Sequence, residues 1–263
     1  MIRELVRKLA DVKRKGILFT IKWIFWGYQL KLSALKNRKF VVSKYQIKLV
    51  PNYSDATFRL YVFGAYGYFY RDFIGAINEK FVFVDVGANQ GLYSILSCKN
   101  QNCTKVFAFE PIEKTFSLLG QNIQLNDVTD NVEIFNKAID SANGMKSIIY
   151  DPKHSGSATI AFNPNDNDLI EKIETVNKEF LNRIFDPIRE AIHIKIDVEG
   201  YEPTVISEIL KTSKIGQIAS IFYEVDVRWV NPSNIENTLR IHGFNQFKKI
   251  GNSNIHFDVL ATR

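Results

Sequence analysis

Apolar positions fall along this chain in two alternating rhythms. Phe81–Val86, Thr104–Phe109, Val132–Ile139, Ala191–Val198 and Gln217–Val225 are mostly apolar runs rich in Val, Ile and Phe. Such runs read as strands covered on both faces, as in a parallel sheet. Between and after them apolar residues recur at helical spacing: Leu92, Tyr93, Ile95 and Leu96; Phe116, Leu118, Leu119 and Ile123; Val205, Ile206, Ile209 and Leu210. Phe244–Ile250 and Ile255–Ala261 flank the turn Gly251–Asn254 and predict a closing hairpin. Five β–α units ending in an antiparallel hairpin predict an α/β fold with a seven-stranded, mostly parallel sheet.

Other segments fit this frame less tightly. Phe40–Val50 alternates loosely and reads as a strand or hairpin, and Pro51–Asp55 is a turn cluster. The aromatic stretch Phe58–Tyr70 reads as a helix or loop over the first strand, or as a cofactor entrance lined by Tyr66, Tyr68 or Tyr70. Gly144–Tyr150 and Ala158–Phe162 predict an added β excursion around a polar, flexible loop, Asp151–Thr159, that carries His154. Asn163–Asp168 reads as a further polar loop.

A length of 263 residues with 46% hydrophobic content describes one ordinary domain with a sizeable core, plus an extension. Cys98 and Cys103 are too few for a disulfide framework and read as reduced thiols of a cytoplasmic protein. Charge divides the chain. Residues 1–50 hold thirteen Lys and Arg against Glu4 and Asp11, whereas the whole chain is only +6, so residues 51–263 are net acidic. The basic segment, read as a helical extension, also carries Ile17–Trp26, too short to span a bilayer and interrupted by Lys22. Basic residues beside Trp and Phe suit a helix lying on an anionic membrane surface, at the inner face of the membrane. They equally suit a pair of helices packing its aromatics on the domain. Basic charge confined to one end, over an acidic body, argues against a nucleic-acid partner.

The candidate chemistry gathers at strand ends. Phe81–Val86 leads into Gly87-Ala88-Asn89-Gln90-Gly91 and then a helix. A dinucleotide fingerprint would need glycines where Asn89 and Leu92 stand, and a phosphate loop would need Gly-Lys-Ser/Thr. What remains, D-x-G-x-x-x-G, suits S-adenosylmethionine: Gly87 and Gly91 would let backbone approach the ligand, and Asp85 would oppose its ammonium and sulfonium. The competing reading is a tight strand–helix turn. Glu110 ends the next strand about 20 residues on, where a carboxylate can accept both ribose hydroxyls. Pro111 after it predicts the first turn of a helix. Ala138 and Asp140 close the third strand where a loop would pass an adenine. Asp197 and Glu199 share one side of an extended chain, and Glu224 ends the fifth strand.

Four motifs in order, DVGANQGLYS, FEP with Asn122, Leu125 and Asn126 downstream, HSGSATI and IDVEGYE, resemble the FkbM family of S-adenosylmethionine-dependent methyltransferases. The resemblance covers roughly residues 55–262, domain 51–263 in effect, and leaves the extension 1–50 unmatched. It implies a Rossmann-like class I methyltransferase fold and O-methylation of a hydroxyl on a sugar, glycan or natural product. By motif, Asp85, Gly87, Asn89, Gly91 and Glu110 would hold the cofactor, with Ala88 of the same turn, and Asp197 and Glu199 would border the reaction centre, Asp197 alternatively binding the cofactor's amino group. Candidates for the base that deprotonates the acceptor are His154, Asp197, Glu199 and Glu224. Mg²⁺ on Asp197, Glu199 and Glu224 is a minority alternative to a metal-free site, and no Cys/His spacing supports zinc. His193 reads as a core histidine. The alternative function is an inactive membrane- or glycan-associated binding protein that kept the fold.

Overall fold

The computed structural model describes residues 38–160 and 169–263. The strands are β1 (Val41–Val42), β2 (Lys48–Leu49), β3 (Phe81–Val86), β4 (Cys103–Phe109), β5 (Val132–Phe135), β6 (Ala138–Ile139), β7 (Gly144–Asp151), β8 (His154–Thr159), β9 (Leu169–Val176), β10 (Ala191–Ile196), β11 (Ile218–Asp226), β12 (Gln246–Ile250) and β13 (His256–Thr262). Seven of them form the main sheet in the order β12-β13-β11-β10-β3-β4-β5. The five from β11 to β5 run parallel, and β13 and β12 close the edge antiparallel. This is the predicted architecture.

β3 is the middle of that sheet and is buried at all six positions. Val82, Val84 and Val86 point into one core with Ile192, Ile194, Ile196 and Ile206, while Phe81 and Phe83 join the other with Ile95 and Leu119. Alternation along one strand thus serves two apolar layers, which is why an unbroken apolar run reads as a central strand. Burial lowers the pKa of His193 to about 4, and its Nδ1 lies 2.7 Å from the Ser220 hydroxyl, so it is the core histidine expected. Cys98 and Cys103 are free thiols, each raised to about 12 by burial. Among the described residues, no helix is long and apolar enough to cross a membrane.

Several expectations need correction. The third strand splits at Asn136-Lys137 into β5, in the main sheet, and β6, in a separate four-stranded sheet of order β6-β9-β7-β8. The expected flexible loop 151–159 is mostly β8, reached through a tight turn at Pro152-Lys153 and paired with β7. Pro111 precedes its helix, which runs Glu113–Leu125, because Glu110 caps the intervening amide. The described part of residues 1–50 holds the hairpin β1–β2, as expected for Phe40–Val50, and residues 1–37 of the helical extension lie outside the described residues. The hairpin's Tyr45, Ile47 and Leu49 belong to the domain core. Asn122 and Asn126 bind its edge, accepting from the amides of Val50 (2.7 Å) and Lys48 (2.9 Å). Ile17–Trp26 and Asn163–Asp168 lie outside the described residues. Phe58–Tyr70 folds mainly as helix Ala56–Phe63 and the start of helix Phe69–Gly75.

Candidate functional site

The turn after β3 is held by its own backbone. Gly87 and Ala88 amides both donate to the Phe109 carbonyl, at 3.0 and 2.9 Å. The Asn89 amide donates to Glu110 Oε2 (2.9 Å), Gln90 to Asn89 Oδ1 (2.9 Å), and Gly91 to the Ala88 carbonyl (2.9 Å). Every amide of the turn is therefore satisfied, and no nest of free donors is left for a phosphate. Gly87 sits at φ +74°, where a Cβ would meet the Asp197 carbonyl oxygen at 2.0 Å. Gly91 sits at φ +90°, with Leu119 2.7 Å from a would-be Cβ. Both glycines are required by close approach within this chain, and Gly87 also lines the cavity described next.

Glu110 is 5% exposed at the end of β4. Its two oxygens each accept one backbone N–H, from Asn89 and from Ile112 (3.0 Å). Each oxygen keeps a lone pair, and the carboxylate borders a cavity at the carboxyl edge of the sheet. Burial raises its pKa to about 7 against the lowering effect of those two amides. The cavity is otherwise lined by Gly87, Asn89, Ala138, Asp197 and Glu199, and by the apolar side chains of Ile139, Ile148, Val198 and Val205.

Four expected cofactor residues are not in that lining. Asp85 is wholly buried beneath the turn, where it accepts from the Ser94 hydroxyl (2.6 Å) and faces Lys195 Nζ at 3.7 Å. Burial raises its pKa despite Lys195. Lys195 also lies 3.3 Å from Asp197 and donates to the Gly87 carbonyl at 3.0 Å. Burial alone would lower the lysine, but Asp197 and Asp85 outweigh it and hold it above its usual value. Asp85 thus braces the turn through a buried ion pair. Ala88 and Gly91 face the core. Asp140 accepts from the Tyr201 hydroxyl (2.6 Å) and pairs with Lys146 (2.5 Å), tying the small sheet to the Tyr201 turn.

A second cavity adjoins the first. Tyr66, Gly156, Asp197 and Glu199 line both. The remaining wall includes His154, Tyr93, Lys195, Phe222, Glu224, His256 and Asp258. All four candidate bases therefore gather here. Glu199 has a left-handed backbone, φ 51°, a strained state that clusters at functional sites. Burial, then Glu224 and Asp197, raise its pKa to about 10. Burial and Asp197 likewise raise Glu224, although His256 Nε2 stands 2.6 Å away. One oxygen from each of Asp197, Glu199 and Glu224 lies within 4.8 Å of the others.

Sequence reasoning missed three residues here. His256 and Asp258 lie on the closing hairpin, and only the register of β13 against β11 brings them to Glu224. Asp55 is the third. This buried N-cap accepts from the amides of Thr57, Phe58 and Ser155, from the Ser155 hydroxyl and from Gln90. It pins β8 against the central turn. Its position before Ala56-Thr57 was a legible N-cap signal, but its partners 35 and 100 residues away were not.

Residues 85–245 match the model of the methyltransferase FkbM domain. The chain belongs to the FkbM methyltransferase family. Among curated proteins it resembles the methyltransferase sdnD of Sordaria araneosa, 28% identical over 155 residues. That match is 48% of this chain and 59% of sdnD, so the chain spans less than two thirds of that relative. Similar solved structures include a human methyltransferase 10 domain-containing protein (12% identity, 90% of this chain and 96% of that one, TM-score 0.46). Another is TrmK of M. capricolum in complex with S-adenosylhomocysteine (11% identity, 74% and 67% coverage, TM-score 0.42). The FkbM match ends at residue 245 and so leaves out β12 and β13, which supply His256 and Asp258.

Proposed function

We propose that this FkbM methyltransferase uses S-adenosylmethionine to methylate a hydroxyl of a sugar, glycan or natural-product acceptor. The observation that carries the reading is the pair of cavities sharing Asp197, Glu199, Tyr66 and Gly156. One is apolar with a buried carboxylate, and the other is lined by carboxylates and aromatic rings.

The first cavity fits the cofactor on its own chemistry. Glu110 offers two oxygens with unused lone pairs, suited to a ribose diol. Ala138 is small, and Ile139, Ile148 and Val205 provide the apolar walls a purine needs. Loop amides already satisfied within the chain suit a ligand without phosphates. Asp197, in both linings, would face the cationic end. Bound there, the cofactor supplies an electrophilic methyl group.

The chain's own contribution is alignment and proton removal. Holding an acceptor oxygen at the shared wall can contribute up to about 7–11 kcal/mol in favourable systems. Glu224 is the strongest candidate for the acceptor's proton, because burial and Asp197 raise its proton affinity. A placed base of this kind adds about 10²–10⁴-fold. His256, 55% exposed and hydrogen-bonded to Glu224, offers that proton a route to water. The three-acid cluster also has the donors for Mg²⁺; unchanged turnover after EDTA would exclude that role. Tritiated methyl transfer to a panel of glycans and hydroxylated natural products tests the reading: label in a methyl ether supports it, and label only in amines or nucleic acid overturns it. Residues 1–50 we propose to attach to an anionic membrane surface, and equal sedimentation with and without anionic liposomes would overturn that.

A further inference from the structure

The second cavity carries more negative charge than the chain neutralises. Glu224 and Asp258 stand directly opposite each other in the β11–β13 ladder. Like charges in that relation destabilise a sheet. Asp197 and Glu199 enter the same space from the end of β10. The cations in the wall are already engaged. Lys195 serves Asp197, Asp85 and the Gly87 carbonyl, and His256 is bound to Glu224. Among the described residues, neither the Glu199 nor the Asp258 carboxylate has a hydrogen-bond or ion-pair partner, and the Tyr66 hydroxyl has none.

Half-buried carboxylates left in this state ask for a positive ligand. The crowding shows in their protonation. Burial, Asp197 and Glu224 push Asp258 to about 7, which an incoming cation would reverse. Tyr66, Tyr93 and Phe222 add aromatic faces to the wall, and an ammonium group is attracted to such faces. Beyond that wall Trp229 is 52% exposed and packs on Gly200, the residue after Glu199, with the Arg228 guanidinium 5.2 Å from its ring. It offers a flat apolar surface beside the acids.

Resting on the methyltransferase reading above, we propose that the acceptor is an aminated polyol of amino-sugar type, its protonated amine held by Glu199 and Asp258. The amine supplies the missing cation, the hydroxyl to be methylated faces the wall shared with the first cavity, and the ring lies toward Trp229. The acids thus select the acceptor by charge: an amine lets Glu199 and Asp258 ionise beside it, whereas a neutral sugar leaves them protonated and unpaired.

Calorimetric titration of the full chain, saturated with S-adenosylhomocysteine, with glucosamine, N-acetylglucosamine and glucose tests this. Glucosamine is expected to bind at least about tenfold more tightly than either neutral sugar. Asp258→Asn is expected to erase that preference, and because Asp258 lines only the second cavity, S-adenosylhomocysteine should still bind, which also shows that the variant is folded. Equal affinity for the three sugars, or no binding of any, overturns the proposal. So does saturable binding of MgCl₂ alone that Glu199→Gln abolishes. Failure of S-adenosylhomocysteine to bind would instead overturn the methyltransferase reading itself; its binding without amine preference sinks only the acceptor proposal.

Discussion

The two cavities meet at the same four residues yet are built in opposite ways. Around the first, the backbone is satisfied before any ligand arrives: five turn amides have partners, Glu110 accepts from one of them and from the Ile112 amide, and Asp85 accepts from Ser94 and faces Lys195. Around the second, carboxylates crowd one another, and two lack partners among the described residues. A site satisfied in advance loses little on binding and can serve one invariant ligand. A site left unsatisfied rejects whatever cannot complete it, and so sets specificity. On the proposed reading, rigidity belongs to the cavity assigned to the cofactor and discrimination to the one assigned to the acceptor.

Breaking the rigid side should cost most. Gly87→Ala places a Cβ 2.0 Å from the Asp197 carbonyl, at a positive φ. Overpacking and backbone strain together should lower stability by about 3 kcal/mol or more, read as a fall in Tm of at least about 6 °C. A Tm within about 2 °C of wild type would mean the turn is more pliant than its hydrogen bonds indicate.

Next in size is chemistry on the other side. Glu224→Gln should lower kcat by about 10²–10⁴-fold and leave S-adenosylhomocysteine affinity unchanged, since Glu224 lines only the second cavity. Loss of cofactor binding in step with turnover would erase the division between the two sides.

The seam between them is Asp55. Asp55→Ala removes the acceptor for Ser155, Thr57 and Phe58, and each buried donor so orphaned costs about 1–3 kcal/mol. Hydrogen exchange should quicken in residues 154–159 and stay slow in β3 and β10. Uniform acceleration would show that β8 does not open independently of the main sheet.

The smallest effect is on pH. Glu110 and Asp258 are both raised to about 7 by burial, Asp258 also by neighbouring acids. A carboxyl with a raised folded pKa stabilises fully when protonated, below its unfolded value, and loses that contribution as pH climbs through about 7. The unliganded protein should therefore lose Tm between about pH 4.5 and about pH 7, and Asp258→Asn should flatten the slope. A Tm that rises across this window would contradict the charge crowding.

The parallel sheet was legible because its strands are covered on both faces and so carry an uninterrupted apolar signal. Short β6 and β8 were not, because their residues mix polar and small side chains and pair only through tertiary contact. The placement of Glu110 and Asp197 in the cavity wall followed from strand ends. Asp85 misled for a physical reason: a carboxylate one residue before the strand's end looks exposed in sequence, but alternation turns it inward to Lys195. The Glu224–His256–Asp258 arrangement depends on cross-strand register, which no local spacing encodes.

The most direct measurement is calorimetric titration of S-adenosylhomocysteine into wild type and Glu110→Gln. The expected result is saturable binding at one site, weakened by at least about tenfold in the variant. Absence of binding to wild type, or equal affinity in both proteins, would contradict a cofactor held over Glu110.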